Sequence, residues 1–203
     1  MPSPTLRRPY LAAAATVAGV ASVLLPTAAQ AATAATADAH VGTAGPEAAP
    51  RAVQASLGDT IAQKAVAELS SGHIGESPAG SNCNYYSGYF GRPCEEWCAD
   101  FGQYVWKAGG ANVGGLSAAS ASFAAYGRAH GTWHAEPNLA GVKPGDAVLY
   151  NLNGSGTYAS HVGIVTSINN GTVNVVSGNY HNTVYKHPAQ EAGTISGYVH
   201  PVA

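Results

Sequence analysis

The spacing of apolar residues changes once along this chain, and that change sets its fold class. Before Lys143 the apolar positions recur at helical intervals. Ile61, Ala65 and Leu69 fall at i, i+4 and i+8, and Cys98, Phe101, Val105 and Ala108 follow a 3-4-3 spacing that puts them on one helical face. A helix is therefore expected from about Ser56–Asp59 to Gly72, another over 98–108 stopped by Gly109-Gly110, and a small one over 117–129. Residues 73–97, rich in Gly, Ser, Asn and Tyr, read as irregular. From Lys143 onward the period is two: a Pro144-Gly145 turn opens a strand at 146–150, and further strands are expected at 161–168, 172–177 and 198–199. Helices first and strands after define an α+β protein, with N-terminal helices packed on an antiparallel sheet.

The 203 residues suffice for one domain with flanking segments. Arg7 and Arg8 precede an uncharged Ala/Val/Leu-rich run over 11–25, Pro26 breaks it, and Ala29-Gln30-Ala31 offers a small-x-small cleavage site. Residues 1–31 thus read as an export signal, because the apolar run falls short of the roughly 20 residues that span a bilayer. Residues 32–56, mostly Ala, Thr, Gly and Pro, read as a disordered linker that cannot bury enough surface to offset its ordering entropy. The folded domain is expected over 57–203, in a secreted monomer with no membrane contact after signal cleavage. Formal charge is −2, and loss of Arg7 and Arg8 leaves seven basic against eleven acidic residues, or −4. No basic stripe is present to neutralise phosphates, which argues against a nucleic-acid partner. Motifs for metal, nucleotide and flavin binding are missing from the sequence, so no cofactor is expected.

The cysteines carry the sharpest chemical clue. Cys83, Cys94 and Cys98 lie within sixteen residues, and an exported chain should pair two and leave one. Joining Cys83 to Cys94 closes a relaxed ten-residue loop, whereas Cys94 to Cys98 would bridge a helix start. Cys98 is then the free thiol, in the first turn of a helix whose unbonded N–H groups and dipole favour a thiolate. Glu95 and Glu96 oppose that unless they point away. A thiolate nucleophile needs an imidazole, and His161 begins the alternating strand His161-Val162-Gly163-Ile164-Val165 with Gly163 leaving room beside it. A half-exposed strand histidine fits the same pattern. Asn169-Asn170-Gly171 suits a three-residue hairpin loop, a register that sets His161 opposite Asn179 and Gly163 opposite Ser177. A two-residue turn would move Asn179 to the other face. In the three-residue register, Asn179 can orient the imidazole, although a turn residue after Gly178 is an equally good reading of it.

Four ordered blocks, Glu96-Trp97-Cys98-Ala99-Asp100-Phe101, Lys143-Pro144-Gly145-Asp146-Ala147-Val148, Ser160-His161-Val162-Gly163-Ile164-Val165 and Ser177-Gly178-Asn179, resemble the CHAP domain, the cysteine, histidine-dependent amidohydrolase/peptidase family. The resemblance covers roughly 57–203 and implies a papain-like fold. It implies cleavage of peptidoglycan amide bonds, by an N-acetylmuramoyl-L-alanine amidase or an endopeptidase, through a thioacyl-enzyme. By position Cys98 is the nucleophile, His161 the general base and then acid, and Asn179 the orienting residue. The family often carries Glu-x-Asn where this chain has Ser177-Gly178-Asn179. One oxyanion donor is expected from the Cys98 backbone; the second is left open, a Tyr, Asn or Ser of residues 82–87 being a candidate. The competing readings are a secreted cysteine peptidase acting on proteins and a non-catalytic wall-binding protein on the same scaffold.

Overall fold

A computed structural model describes residues 55–203 of the chain. The expected signal segment 1–31, and the expected linker up to residue 54, lie outside the described residues. Helix α1 spans Leu57–Glu68 and opens on a capping box, in which Ser56 and Asp59 satisfy each other's backbone N–H groups. A five-residue helix α2, Tyr85–Tyr89, capped by Asn84, stands within the segment read as irregular. Helix α3 spans Cys98–Ala108, and α4 spans Ala121–His130 and ends on Gly131 in the left-handed region.

The strands are β1 (Trp133–His134), β2 (Ala147–Tyr150), β3 (His161–Asn169), β4 (Thr172–Tyr180), β5 (Thr183–Pro188) and β6 (Ile195–Val199). They form one antiparallel sheet in the order β1-β6-β2-β3-β4-β5. With the helices leading, this is the α+β architecture read from the spacing. Helices α1, α3 and α4 cover one face, where Phe101, Val105, Trp106 and Phe123 pack on Ala147, Leu149, Val162, Ile164 and Val176. Val148, Tyr150, Val165, Val173, Val175 and Tyr198 form a second core on the opposite face, beneath Leu139, Val142 and Ala189. Among the described residues no helix is long and apolar enough to cross a membrane.

The β3–β4 hairpin corrects the loop reading. Asn169 pairs with Thr172, so the loop is the two-residue Asn170-Gly171 turn, with φ of 49° and 80°. Two left-handed residues make a type I′ turn, whose twist matches the flanking strands better than the longer loop does. A bulge between Val165 and Ser167 then shifts the register by one, so that Val165 pairs with Val175 and Ile164 with Val176. The bulge undoes the consequence of the shorter turn. His161, Gly163 and Ser177 still share the face turned away from the helices, where a Cβ on Gly163 would lie 2.7 Å from Ser177 Oγ.

Candidate active site

Three sequence features deliver Cys98 to the site. Helix α3 begins at Cys98 without a side-chain cap, so its first-turn N–H groups have no intrahelical partner. Phe101 and Val105 anchor the same face in the core, fixing the rotation of the helix. The Cys83–Cys94 disulfide closes the loop immediately before it, leaving Cys98 free and 7% exposed. Gly178 completes the fit from β4, since a Cβ there would overlap Phe101 and Trp97.

Cys98 Sγ lies 3.1 Å from Ser120 Oγ, at the start of α4. Burial pushes the thiol above its ordinary pKa and Glu96 adds to this, while Ser120 and the backbone of Val162 and Ala99 pull the other way. The sulfur therefore sits at the head of β3, where His161 starts the strand. Both side chains line one cleft of about 430 Å³, with Glu96, Ser120, Tyr158 and Asn179. Burial, and then the neighbouring His187, push the His161 pKa down to about 4. At neutral pH the resting pair is a neutral thiol and a neutral imidazole, the protonation state of a general base waiting for its proton.

Asn179 lines the cleft, yet its amide turns elsewhere. Its φ is 56°, at an irregularity between Ser177 and Tyr180, and its Nδ2 donates to Glu96 Oε2 at 2.5 Å. A left-handed residue at a bulge re-aims its side chain, which is why the register alone did not fix where this amide points. Asn82 Nδ2 also donates to Glu96, at 3.4 Å. Glu96 is thus held by two amides. In the 82–87 segment Asn84 caps α2, Tyr86 donates to Glu68 and Ser87 donates to buried Asp100 at 2.5 Å, which leaves Asn82, through Glu96, as the residue linked to the cleft wall.

Two polar neighbours escaped the sequence reading. Ser120 lies 22 residues after Cys98 in a Ser/Ala-rich stretch with no distinguishing pattern. His187 sits on β5, 2% exposed, on the same sheet face as His161 and Ser177. Its strand, Thr183–Pro188, is short and ends in proline, so nothing local marked it.

The depressed His161 pKa has a consequence for stability. An unfolded histidine titrates near 6.5, whereas folded His161 resists protonation until about pH 4. The stability that goes with its neutral form is complete above pH 6.5 and falls away as pH drops to about 4, by up to about 3 kcal/mol. His187, likewise pushed down by its burial, acts in the same direction. Urea unfolding at pH 7 and pH 4.5 should show this loss, and His161→Phe should lessen it. An equal loss in both proteins would place the effect elsewhere.

A free cysteine at a helix start and a histidine at a strand start share one cleft on an α+β scaffold, the residue types that a cysteine/histidine-dependent hydrolase needs. The family model of the CHAP domain matches residues 84–179, from the cap of α2 to Asn179. Over these residues the chain is similar to the CHAP domain, a likeness that implies hydrolase or peptidase activity and agrees with the α+β architecture. No curated protein matches the chain.

Proposed function

We propose that this protein is a secreted peptidoglycan hydrolase that cleaves an amide bond through a Cys98 thioester. The observation that carries the proposal is the shared cleft of Cys98 and His161 within the stretch similar to the CHAP domain. Cys98 Sγ attacks the amide carbonyl while its proton passes to His161. The first-turn N–H groups of α3 face the developing oxyanion. The tetrahedral adduct collapses as His161 protonates the departing amine, leaving the acyl group on sulfur. Water then gives a proton to His161 and attacks the thioester, releasing a carboxylate and restoring the thiol. Ser120, 3.1 Å from the sulfur, is placed to donate to it as negative charge builds.

The cleft walls suit a stem peptide beside a sugar. Ala118, Ala119, Ala121 and Ala159 leave small apolar surfaces that fit alanyl methyl groups, and Tyr158, 61% exposed, offers a ring face to a glycan. The disulfide supports an oxidising, extracytoplasmic destination. The test is hydrolysis of purified Gram-positive sacculi beside casein. Cleavage of sacculi alone supports the proposal, whereas casein cleavage with intact sacculi would assign a protein-directed peptidase.

A further inference from the structure

His161 lacks the partner that a cysteine/histidine site requires on the far side of the imidazole. Its Nε2 is out of contact with solvent and makes no hydrogen bond. Asn179, engaged with Glu96, does not supply one. The sheet face that carries His161 holds a compact polar cluster instead. Ser177 is fully buried, and its Oγ lies 3.0 Å from His187 Nε2. His187 Nδ1 lies 2.9 Å from the Pro188 carbonyl, which can only accept, so Nδ1 carries the proton of the neutral ring. Nε2 is then an acceptor, and the Ser177 hydroxyl must donate to it. That leaves Ser177 with only lone pairs for its other neighbours, the polarity that a carboxylate would present. Tyr180 stacks on His187 with ring centroids 4.0 Å apart and holds the ring in place.

We propose that Ser177 and His187 act together as a positioning pair, with His187 fixing the Ser177 hydroxyl so that its lone pairs receive the Nε2 proton of His161. The pair takes the place of a single acidic side chain. Ser177 lies over Gly163, the next residue after His161 on that face. A short movement of the imidazole, or one bridging water, completes the contact. The consequence is a fixed tautomer, with Nδ1 of His161 left free to take the Cys98 proton. The Tyr150 hydroxyl is the competing acceptor: it too is buried and unpartnered, and its ring centroid lies 5.7 Å from that of His161.

The inference rests on the Cys98–His161 reading for its effect on rate, so the test has an arm that does not depend on turnover. Protein labelled with 15N-histidine is examined at pH 7 by long-range 1H–15N correlation, with His161 assigned from the His161→Gln variant. The pair predicts the Nε2–H tautomer of His161 in the parent protein, and a shift of its Nε2 resonance in both Ser177→Ala and His187→Phe. His187→Gln, which can still accept from Ser177, should restore the resonance. On sacculi, Ser177→Ala and His187→Phe should each lower kcat about 10- to 100-fold with KM within about twofold, and the double variant should be no worse than either. Unmoved His161 resonances in folded Ser177→Ala, or a shift caused by Tyr150→Phe alone, would overturn the pair. Inert sacculi with shifted resonances would overturn the proposed substrate and leave the pair standing.

Discussion

Cys98→Ala should lower hydrolysis of sacculi by about 10⁴-fold or more, and His161→Ala should do the same. The reason is chemical. Alanine offers no electron pair to the carbonyl, and without His161 the cleft has no imidazole to take the thiol proton from a sulfur whose pKa is raised by burial. Losses of groups that act as one unit do not multiply, so the double variant should sit at the same floor as either single one. Cys98→Ala removes one sulfur from a buried site beside Ser120, so the protein should remain folded, with unchanged circular dichroism. A Cys98→Ala protein that retains more than a few per cent of its activity would remove the nucleophile from the mechanism. Asn179→Ala should cost much less, because its amide serves Glu96 and not the imidazole.

The largest expected effect on stability lies in the segment between α2 and α3, at Arg92→Ala. Asp100 is completely buried in the first turn of α3 and accepts from Arg92 and from Ser87. Arg92 Nη2 also donates to Gln103 Oε1 at 2.8 Å, so one guanidinium clamps two residues of the helix that carries Cys98. Removing it leaves a buried carboxylate with a single hydroxyl donor, a change that costs about 3–5 kcal/mol. That is a large share of the roughly 5–15 kcal/mol by which a domain is stable. The urea midpoint should fall accordingly. Adding Asp100→Asn should recover about 1 kcal/mol or more, because the uncompensated charge is gone. A midpoint for Arg92→Ala within experimental error of the parent would show that the ion pair contributes little.

Much of the site could be read from the chain, for reasons that are specific. Helix α3 was legible to its ends because its apolar spacing is regular and Gly109-Gly110 stops it. His161 was legible as the head of an alternating strand. The hairpin was legible in its outcome but not in its path: the turn has two residues and a bulge at Thr166 restores the register. Asn enters the left-handed region more readily than most residues, so Gly178-Asn179 carried a hint of the bulge that re-aims the amide. Ser120 and His187 were not legible. Each reaches the site through tertiary packing, 22 residues from Cys98 in one case and through the pairing of β5 with β4 in the other. No local pattern encodes such a meeting.

The measurement that bears most directly on the account is mass spectrometry of the soluble products from Gram-positive sacculi, after incubation with the protein and, in parallel, with Cys98→Ala. The account predicts peptides newly cut at an amide bond with the parent protein and none with the variant. A free L-alanine amine would mark an amidase, and a severed stem or cross-bridge an endopeptidase. Identical products from both proteins, or no product from either, would contradict a Cys98-dependent peptidoglycan hydrolase.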